Sequence, residues 1–226
     1  MKYTTLLMDA DDTIFDFPSC EYNALKETLK FYGLKFNAEI YQSFSFINSA
    51  LWKKFEINKI TRAELRIKRF SELIEKCFDG ADNSVMLADK YVEQLAEQAI
   101  FINGAQQTLE HLSKYRDIYI ITNGLKTVQY KRIEKSGLYN YIKGVFISDE
   151  LGVQKPMKEF FDIVLKNIDE KDTSKILVVG DSLTSDMKGG KNAGLATCLY
   201  DPKNKTKMPN ELCDYKITDL KELIDF

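Results

Sequence analysis

Four aspartates follow one short apolar run near the start of the chain. In the stretch LLMDADDTIFDF, the apolar run ends at Met8, and carboxylates stand at positions 9, 11, 12 and 16. Two ionised carboxylates that lie close together repel each other unless a cation neutralises them. The stretch is therefore either an ordinary solvated turn at the end of a strand or one side of a site for a positively charged partner. Asp9 and Asp11 are the candidates for that site.

Three further apolar runs end in polar residues that suit metal or phosphate binding: IITNG, ISDELGVQKP and VVGDSLTSD. If these runs are parallel strands, their carboxyl ends meet at one edge of the sheet, where ligands bind in open α/β folds. The sequence thus predicts a single site that contains Asp9, Asp11, Thr122, Lys155, Asp181 and Asp186.

The residue types in this site indicate phosphoryl chemistry. Clustered carboxylates require a hard cation, and oxygen ligands without histidine suit Mg²⁺. The only histidine, His111, is expected on a helix surface. Lys155 can act as a point charge and Thr122 as a hydrogen-bond donor, which suits one phosphoryl group. A carboxylate beside such a group can attack phosphorus and form an aspartyl-phosphate.

The apolar runs that carry these residues predict the elements that position them. Near-continuous apolar segments lie at 3–8, 117–122, 144–148, 175–180 and 196–200, and helical patterns separate most of them. Buried strands that alternate with helices are typical of a parallel sheet covered on both faces. The predicted fold class is therefore α/β.

A helical segment interrupts this pattern directly after the first strand. Apolar residues recur at helical spacing after Asn37, a predicted N-cap, and Thr61 with Glu64 forms a predicted capping box. Leu87 lies in a further predicted helix, and the segment contains no convincing strand. We therefore predict an inserted helical domain at 17–99 and an α/β core formed by 1–16 and 100–226.

Composition restricts the class of protein. The chain has 226 residues, is 44% hydrophobic and carries a formal net charge of −2, so no global field favours nucleic acid or an anionic membrane. It contains no run long enough to span a membrane and no secretory signal pattern. Four widely spaced cysteines are expected to be reduced thiols. We expect a cytoplasmic protein that acts on a small molecule; the oligomeric state stays open.

The motifs D-x-D-x-T, T-N-G, K-P and G-D-x-x-x-x-D, in this order, resemble those of the haloacid dehalogenase superfamily of phosphohydrolases. The resemblance extends over the whole chain, and the helical insertion resembles the superfamily's C1 cap. DADDTIFDF, ITNG, VQKPMKEFFD and GDSLTSDMKGGKNAGLATC look more specifically like the YjjG-type pyrimidine nucleotidase branch. The resemblance implies a Rossmann-like core and Mg²⁺ as the cofactor.

It also implies roles for individual residues. Asp9 would be the nucleophile, and Asp11 the general acid and base. Thr122, Asn123 and Lys155 would bind the phosphoryl group. The ligands of Mg²⁺ would be Asp9, Asp11 (through its backbone carbonyl), Asp181 and Asp186 (directly or through water).

Some positions do not have a clear role in the predicted chemistry. Asp12 stands where most of the superfamily has glycine, which would alter the shape of the loop. Gln129, Arg132 and Arg69 are interpreted by default as solvated helix residues. Gly190, with Gly189 and Gly194, is interpreted as a close-packing or turn position.

The substrate implied by the branch is a pyrimidine nucleoside 5′-monophosphate. Asn48, Trp52 and Arg69 in the predicted cap offer an amide, a stacking face and a cation for the nucleoside, although Trp52 also suits a core position. Alternatives are a sugar-phosphate phosphatase or phosphomutase of the same superfamily. A different class is a phospho-accepting signalling module, which also clusters aspartates, threonine and lysine around Mg²⁺.

Overall fold

The computed structural model describes residues 2–78 and 83–226, and these residues form two compact units. One unit comprises Met1–Phe17 and Ala99–Phe226, and the other comprises Pro18–Gln98. Within the described residues, no helix is both long enough and apolar enough to cross a membrane.

The α/β unit is built on a six-stranded sheet in the order β3-β2-β1-β4-β5-β6. Every strand pair is parallel. The strands are β1 (Thr5–Met8), β2 (Asp117–Thr122), β3 (Gly144–Ile147), β4 (Ile176–Gly180), β5 (Ala196–Tyr200) and β6 (Tyr215–Ile217). The predicted α/β class and the parallel sheet are confirmed.

One strand was not predicted. No apolar run was found after 196–200, and β6 begins beyond it, at Tyr215. This strand has three residues, lies at the edge of the sheet and pairs with β5 through Cys198, Leu199 and Tyr200. So short an edge strand leaves no periodic pattern that a sequence could display.

Five helices belong to this unit and cover the sheet: α5 (Ala105–Leu112), α6 (Lys126–Ser136), α7 (Ser148–Leu151), α8 (Lys158–Asn167) and α9 (Lys188–Asn192). Alternate strand residues point to opposite faces of a sheet. Leu6 therefore packs in a cluster with Leu109 and Ile133 from α5 and α6. Leu7 packs in another cluster with Phe160 from α8. Burial on both faces explains why the strands are almost uniformly apolar.

The helical unit contains α1 (Phe17–Phe31), α2 (Ala38–Glu56), α3 (Arg62–Cys77) and α4 (Ser84–Ala96). The Asn37 side chain accepts a hydrogen bond from the backbone N–H of Ile40 and caps α2. Thr61 and Glu64 form the predicted capping box at the start of α3. The helices α2, α3 and α4 meet through three buried rings with centroids 5.2–5.5 Å apart, those of Phe44, Phe70 and Tyr91.

The close approach of α9 to the sheet requires glycine. A Cβ atom on Gly190 would lie 2.6 Å from Cγ2 of Thr197 and 3.1 Å from Cγ2 of Val178. Thr197 cannot easily rotate away, because its hydroxyl donates to the Asp214 carboxylate at 3.1 Å. The interpretation of Gly190 as a close-packing position is confirmed.

We predict that Gly190→Ala destabilises the protein by about 1–3 kcal/mol, the usual cost of overpacking a core. Helix propensity alone predicts the opposite sign, since alanine is favoured over glycine in a helix by about 0.5–1 kcal/mol. Urea denaturation measures the difference. Lys188→Ala, an exposed position on the same helix, is the matched control and is expected to change stability little. A Gly190→Ala variant as stable as wild type would contradict the packing argument.

Candidate active site

The carboxyl ends of three adjacent strands bring the predicted site residues together. Met8, the last residue of β1, lies beside Ile120 of β2 and Val179 of β4. The backbone N–H of Asp9 extends the ladder by donating to the Val179 carbonyl at 2.9 Å. Asp9 follows β1, Thr122 ends β2 and Asp181 follows β4. Strand register therefore decides which polar residues become neighbours.

Lys155 reaches this edge as a buried ammonium group. Its Nζ donates to Oδ1 of Asp9 at 2.7 Å, to Oδ1 of Asp186 at 2.6 Å and to the carbonyl of Ile121 at 2.8 Å. The residue is only 1% exposed. An ammonium has three donors, so these three contacts account for all of them. Lys155 thus holds two carboxylates in fixed positions.

Asn123 fixes the backbone of Lys155. The Asn123 amide donates to the Lys155 carbonyl at 2.9 Å, and its oxygen accepts from the Lys155 N–H at 2.9 Å. The same amide also lies 3.3 Å from the Ser185 hydroxyl. The sequence predicted that Asn123 binds phosphate; in the structure, its side chain joins the loop after β2 to the segment that carries Lys155.

Three carboxylates surround this lysine. Oxygens of Asp9, Asp181 and Asp186 all lie within 4.8 Å of one another. Burial raises the pKa of Asp9 to about 8; attraction to Lys155 opposes the rise, and repulsion from Asp186 adds to it. Burial also raises the pKa of Asp181 well above its ordinary value, with repulsion from Asp186 and Asp9 contributing. One ammonium is too little positive charge for three carboxylates.

The neighbouring carboxylates also change the pKa of Lys155. Burial lowers the pKa of Lys155, but attraction to Asp186 and Asp9 outweighs it, and the pKa lies above its usual range. Lys155 is therefore a permanent cation near neutral pH. It cannot serve as a general base.

A tight turn after β4 delivers Asp186. A π-helical turn, Leu183–Met187, contains this residue, and Oδ2 of Asp186 accepts from the Ser182 N–H at 3.1 Å. A Cβ atom on Gly180 would collide with the Asp186 carboxylate, so glycine is required at the end of β4. Such π turns are frequent at functional sites. The G-D-x-x-x-x-D motif thus has a steric reason for its glycine.

Thr122 presents its hydroxyl at the same edge. The hydroxyl oxygen accepts from the Gly124 N–H at 3.1 Å and from Nε2 of Gln129 at 3.2 Å. A hydroxyl has one hydrogen to donate and two lone pairs. With both acceptor positions used, Thr122 can give its hydrogen to a bound anionic group.

Asp11 lies beyond the strand and is held by α6. Its Oδ1 accepts from Nη1 of Arg132 at 2.6 Å, and its Oδ2 accepts from Nε2 of Gln129 at 2.7 Å. The default interpretation of Gln129 and Arg132 as solvated residues is wrong, because they are 1% and 0% exposed. They share the buried face of α6 with Val128 and Ile133. No local signal in the sequence marks them as buried, because polar residues between apolar ones are equally typical of a solvated helix face.

Asp12 adopts the backbone conformation that glycine favours. Its φ is 60°, in the left-handed region, and its N–H donates to the Phe15 carbonyl at 2.9 Å. Aspartate is among the few residues other than glycine that enter this region at modest cost. The departure from the superfamily's glycine is therefore compatible with a left-handed turn.

The helical unit places two of the three predicted specificity residues in one buried cluster. Nδ2 of Asn48 donates to Oε1 of Glu21 at 2.7 Å, and Nη1 of Arg69 lies 3.4 Å from Oδ1 of Asn48. Arg69 is 4% exposed and its guanidinium lies over the Tyr91 ring, so its interpretation as a solvated residue is wrong. Trp52 packs instead edge-to-face against Phe55.

A parallel sheet with an acidic cluster and a buried lysine at its carboxyl edge is the arrangement of a hydrolase family. The chain belongs to the haloacid dehalogenase-like hydrolases, whose family model matches residues 3–194. The family predicted from the motifs is thereby confirmed.

Individual relatives are similar over nearly their whole length. The HAD-hydrolase YfnB of Bacillus subtilis is 40% identical over 98% of this chain and 94% of its own. A magnesium-bound crystal structure of YfnB, described as revealing interdomain movement, matches with a TM-score of 0.93 at 39% identity, covering 100% of this chain and 98% of that one.

Two further relatives carry a named activity. The pyrimidine 5′-nucleotidase PynA of Streptococcus pneumoniae is 36% identical over 100% of this chain and 95% of its own. The pyrimidine 5′-nucleotidase YjjG of Escherichia coli is 33% identical over 99% of this chain and 97% of its own.

We predict that Lys155→Met destabilises the protein by about 3–5 kcal/mol near pH 8, the usual cost of leaving buried charge without its partner. The loss is expected to shrink toward about pH 5, because buried carboxylates then take up protons. The sign follows from Asp9: its folded-state pKa of about 8 lies above that of the unfolded chain, so its ionisation removes stability as pH rises. Removing the lysine raises that pKa further.

Urea denaturation at the two pH values measures this difference. Lys158→Met is the matched control, because it removes an exposed lysine that pairs with Asp162 on the surface of α8. Exposed pairs contribute about 0–1 kcal/mol. Equal losses for the two variants, or a Lys155→Met loss that grows as pH falls, would contradict the electrostatic account.

Proposed function

We propose that the protein is a Mg²⁺-dependent phosphomonoester hydrolase that works through an aspartyl-phosphate on Asp9 and prefers pyrimidine nucleoside 5′-monophosphates. The observation that carries the proposal is the buried Lys155 ammonium, which bridges Asp9 and Asp186 at the sheet edge where Thr122 ends β2. The named activity of PynA and YjjG supports the choice of substrate.

The donor set suits a hard divalent cation. Asp9, Asp181 and Asp186 offer carboxylate oxygens within 4.8 Å of one another, and a single lysine leaves their charge under-compensated. Mg²⁺ prefers oxygen ligands and commonly uses one or two carboxylates together with water and phosphate. In the proposed enzyme these three aspartates hold Mg²⁺, with the Asp11 carbonyl as a further ligand. The bound ion supplies positive charge to the phosphoryl oxygens.

The chain's own residues then account for both halves of the reaction. A carboxylate oxygen of Asp9 attacks phosphorus, and the bond to the leaving alcohol breaks as Asp11 gives that oxygen a proton. Asp11, now a carboxylate, takes a proton from water, whose oxygen attacks phosphorus and releases Asp9 and inorganic phosphate. The Lys155 ammonium acts as a nearby positive charge for the phosphoryl group throughout, and the Thr122 hydroxyl donates a hydrogen bond to one of its oxygens. Asn123 acts by holding Lys155.

The helical unit, 17–99 in the domain division predicted from the sequence, is proposed to act as the cap that recognises the nucleoside. Asn48 and Arg69 share a buried polar cluster, and the Trp52 ring packs edge-to-face against Phe55. Stacking on an aromatic ring tolerates every base. Discrimination between pyrimidines and purines is therefore assigned to polar contacts and pocket size.

The metal proposal predicts that a chelator abolishes turnover and that Mg²⁺ or Mn²⁺ restores it, whereas Ca²⁺ inhibits because its larger shell can take both oxygens of Asp9. Mg²⁺ should also raise the melting temperature more at about pH 8.5 than at about pH 5.5, because a metal binds the ionised carboxylates and Asp9 titrates near 8.

Thermal denaturation with and without Mg²⁺ measures this effect independently of activity. NaCl at equal ionic strength controls for screening, and Asp181→Asn is expected to lose most of the Mg²⁺-induced stabilisation. Undiminished turnover in excess chelator would eliminate the metal-dependent mechanism.

The substrate proposal predicts that kcat/KM for UMP, dUMP and dTMP exceeds that for AMP and GMP by about tenfold or more, the discrimination that pocket fit commonly supplies. Steady-state release of inorganic phosphate measures it. Asp9→Asn is the control and should lose both turnover and covalent labelling, since an amide is not a nucleophile.

Other outcomes separate the alternatives. A sugar phosphate or small phosphoacid that exceeds all five nucleotides would reject the nucleotidase and retain the phosphohydrolase. Stoichiometric labelling without turnover would indicate a phospho-accepting module.

A further inference from the structure

Asp11 is held through both of its carboxylate oxygens. Arg132 donates to Oδ1 at 2.6 Å, and Gln129 donates to Oδ2 at 2.7 Å. Both donors project from α6, one helical turn apart. Neither belongs to the motifs D-x-D-x-T, T-N-G, K-P and G-D-x-x-x-x-D. A carboxylate held at both oxygens cannot rotate freely, so α6 determines where its protons can be delivered.

Arg132 lies buried against the turn that carries Asp11. The residue is 0% exposed, and its guanidinium lies 4.6 Å from the centre of the Phe15 ring. Phe15 pairs with Asp11 across an isolated bridge, so the arginine contacts both members of one turn. Burying a guanidinium is costly unless a charged partner compensates for the lost hydration. Asp11 is the carboxylate that meets this requirement in the ion pair.

Gln129 connects Asp11 to the proposed phosphate-binding hydroxyl. The same Nε2 atom that donates to Asp11 also lies 3.2 Å from Oγ1 of Thr122. Gly124 makes room for this side chain, because a Cβ atom there would lie 2.7 Å from Cγ of Gln129. The glycine of T-N-G therefore allows α6 to reach the site.

We infer that Gln129 and Arg132 are positioning residues that fix the Asp11 carboxylate for proton transfer, and that Gln129 couples its orientation to Thr122. The inference rests on the proposed function, since it requires Asp11 to protonate the leaving oxygen. The guanidinium and the amide donate hydrogen bonds without exchanging protons, so the transferred proton passes only between Asp11 and the leaving oxygen or water. Displacing a catalytic group by about 1 Å can cost about 10²-fold in rate.

Two substrates distinguish a positioning role of Gln129 and Arg132 from a purely structural one. General acid catalysis matters for a poor leaving group, such as the 5′-oxygen of a nucleoside, and much less for 4-nitrophenolate. The value of kcat/KM reports the steps up to the first phosphoryl transfer. Loss of Asp11 positioning should therefore lower kcat/KM for UMP far more than for 4-nitrophenyl phosphate. Disturbed folding should lower both.

The experiment compares kcat/KM for the two esters in wild type, Gln129→Met, Arg132→Lys and Asp11→Asn. We expect the ratio of UMP to 4-nitrophenyl phosphate to fall by about 10²-fold or more in Asp11→Asn, as is usual when a general acid is lost. In Gln129→Met and Arg132→Lys it should fall by about tenfold or more. Lys131→Met, an exposed cation on the same helix, is the control and should leave the ratio unchanged.

Double variants test whether the two residues act through Asp11. In the Asp11→Asn background, Gln129→Met and Arg132→Lys should lower the ratio no further, since coupled residues are non-additive. Circular dichroism and urea denaturation establish that each variant is folded. Arg132→Lys retains the charge, and Gln129→Met retains the side-chain length. If one of these variants does not fold, the other still tests the positioning role.

The outcomes distinguish this inference from the proposed function. If Asp11→Asn lowers the ratio but neither α6 variant does, or if the α6 losses add fully to that of Asp11→Asn, the positioning role is rejected and the phosphohydrolase stands. If the wild type hydrolyses neither ester, or Asp11→Asn affects both esters equally, the proposed mechanism fails and the positioning role fails with it.

Discussion

The architecture of the site depends on one buried cation among clustered carboxylates. Lys155 uses its donors on Asp9, Asp186 and the Ile121 carbonyl. Replacing a buried ion pair with well-packed apolar groups is often neutral or stabilising, so such a pair is weak evidence for stability. Stability alone therefore does not account for this arrangement. The sheet supplies three strand ends in register, and the lysine makes their negative charge tolerable without neutralising all of it.

A second support comes from α6, on the other side of the D-x-D segment. Asp9 lies in the ladder of the sheet and is held by Lys155, whereas Asp11 lies beyond it and is held by Gln129 and Arg132. The two aspartates therefore have separate partners and separate surroundings. Two neighbouring carboxylates can take different chemical roles only if their environments differ. The left-handed backbone at Asp12 turns the chain directly after Asp11, and the turn is closed by the hydrogen bond from the Asp12 N–H to the Phe15 carbonyl.

Two glycines at the carboxyl edge of the sheet leave space for polar side chains to make their contacts. Gly180 leaves space for the Asp186 carboxylate, and Gly124 leaves space for Gln129. Neither has the positive φ of the turn glycines, so conformational freedom is not the reason for them. In both cases a hydrogen atom replaces a side chain so that a neighbouring polar side chain can turn inward. The proposed chemistry thus depends on glycine at these two positions as well as on the functional groups.

The sequence by itself determined the sheet and the family, and it predicted the residues of the candidate site. Five strands were predicted from apolar runs, because strands buried on both faces leave a local signal. Asn37, Thr61 and Glu64 marked helix starts correctly, because capping involves neighbours along the chain. Asp9, Thr122 and Lys155 were predicted to converge because polar residues stood after several strands, and parallel strands share one edge.

Only the tertiary structure decided the partners of these residues. Gln129 and Arg132 carry no local mark that distinguishes a buried polar side chain from a solvated one, because their burial depends on Asp11, more than a hundred positions earlier in the chain. Asn123 was predicted to bind phosphate, and the structure adds that its amide pairs with the backbone of Lys155. The strand β6 and the burial of Arg69 were missed for the same reason. A sequence displays periodicity and caps, which are local, whereas hydrogen-bond partners and desolvation arise only when distant segments pack together.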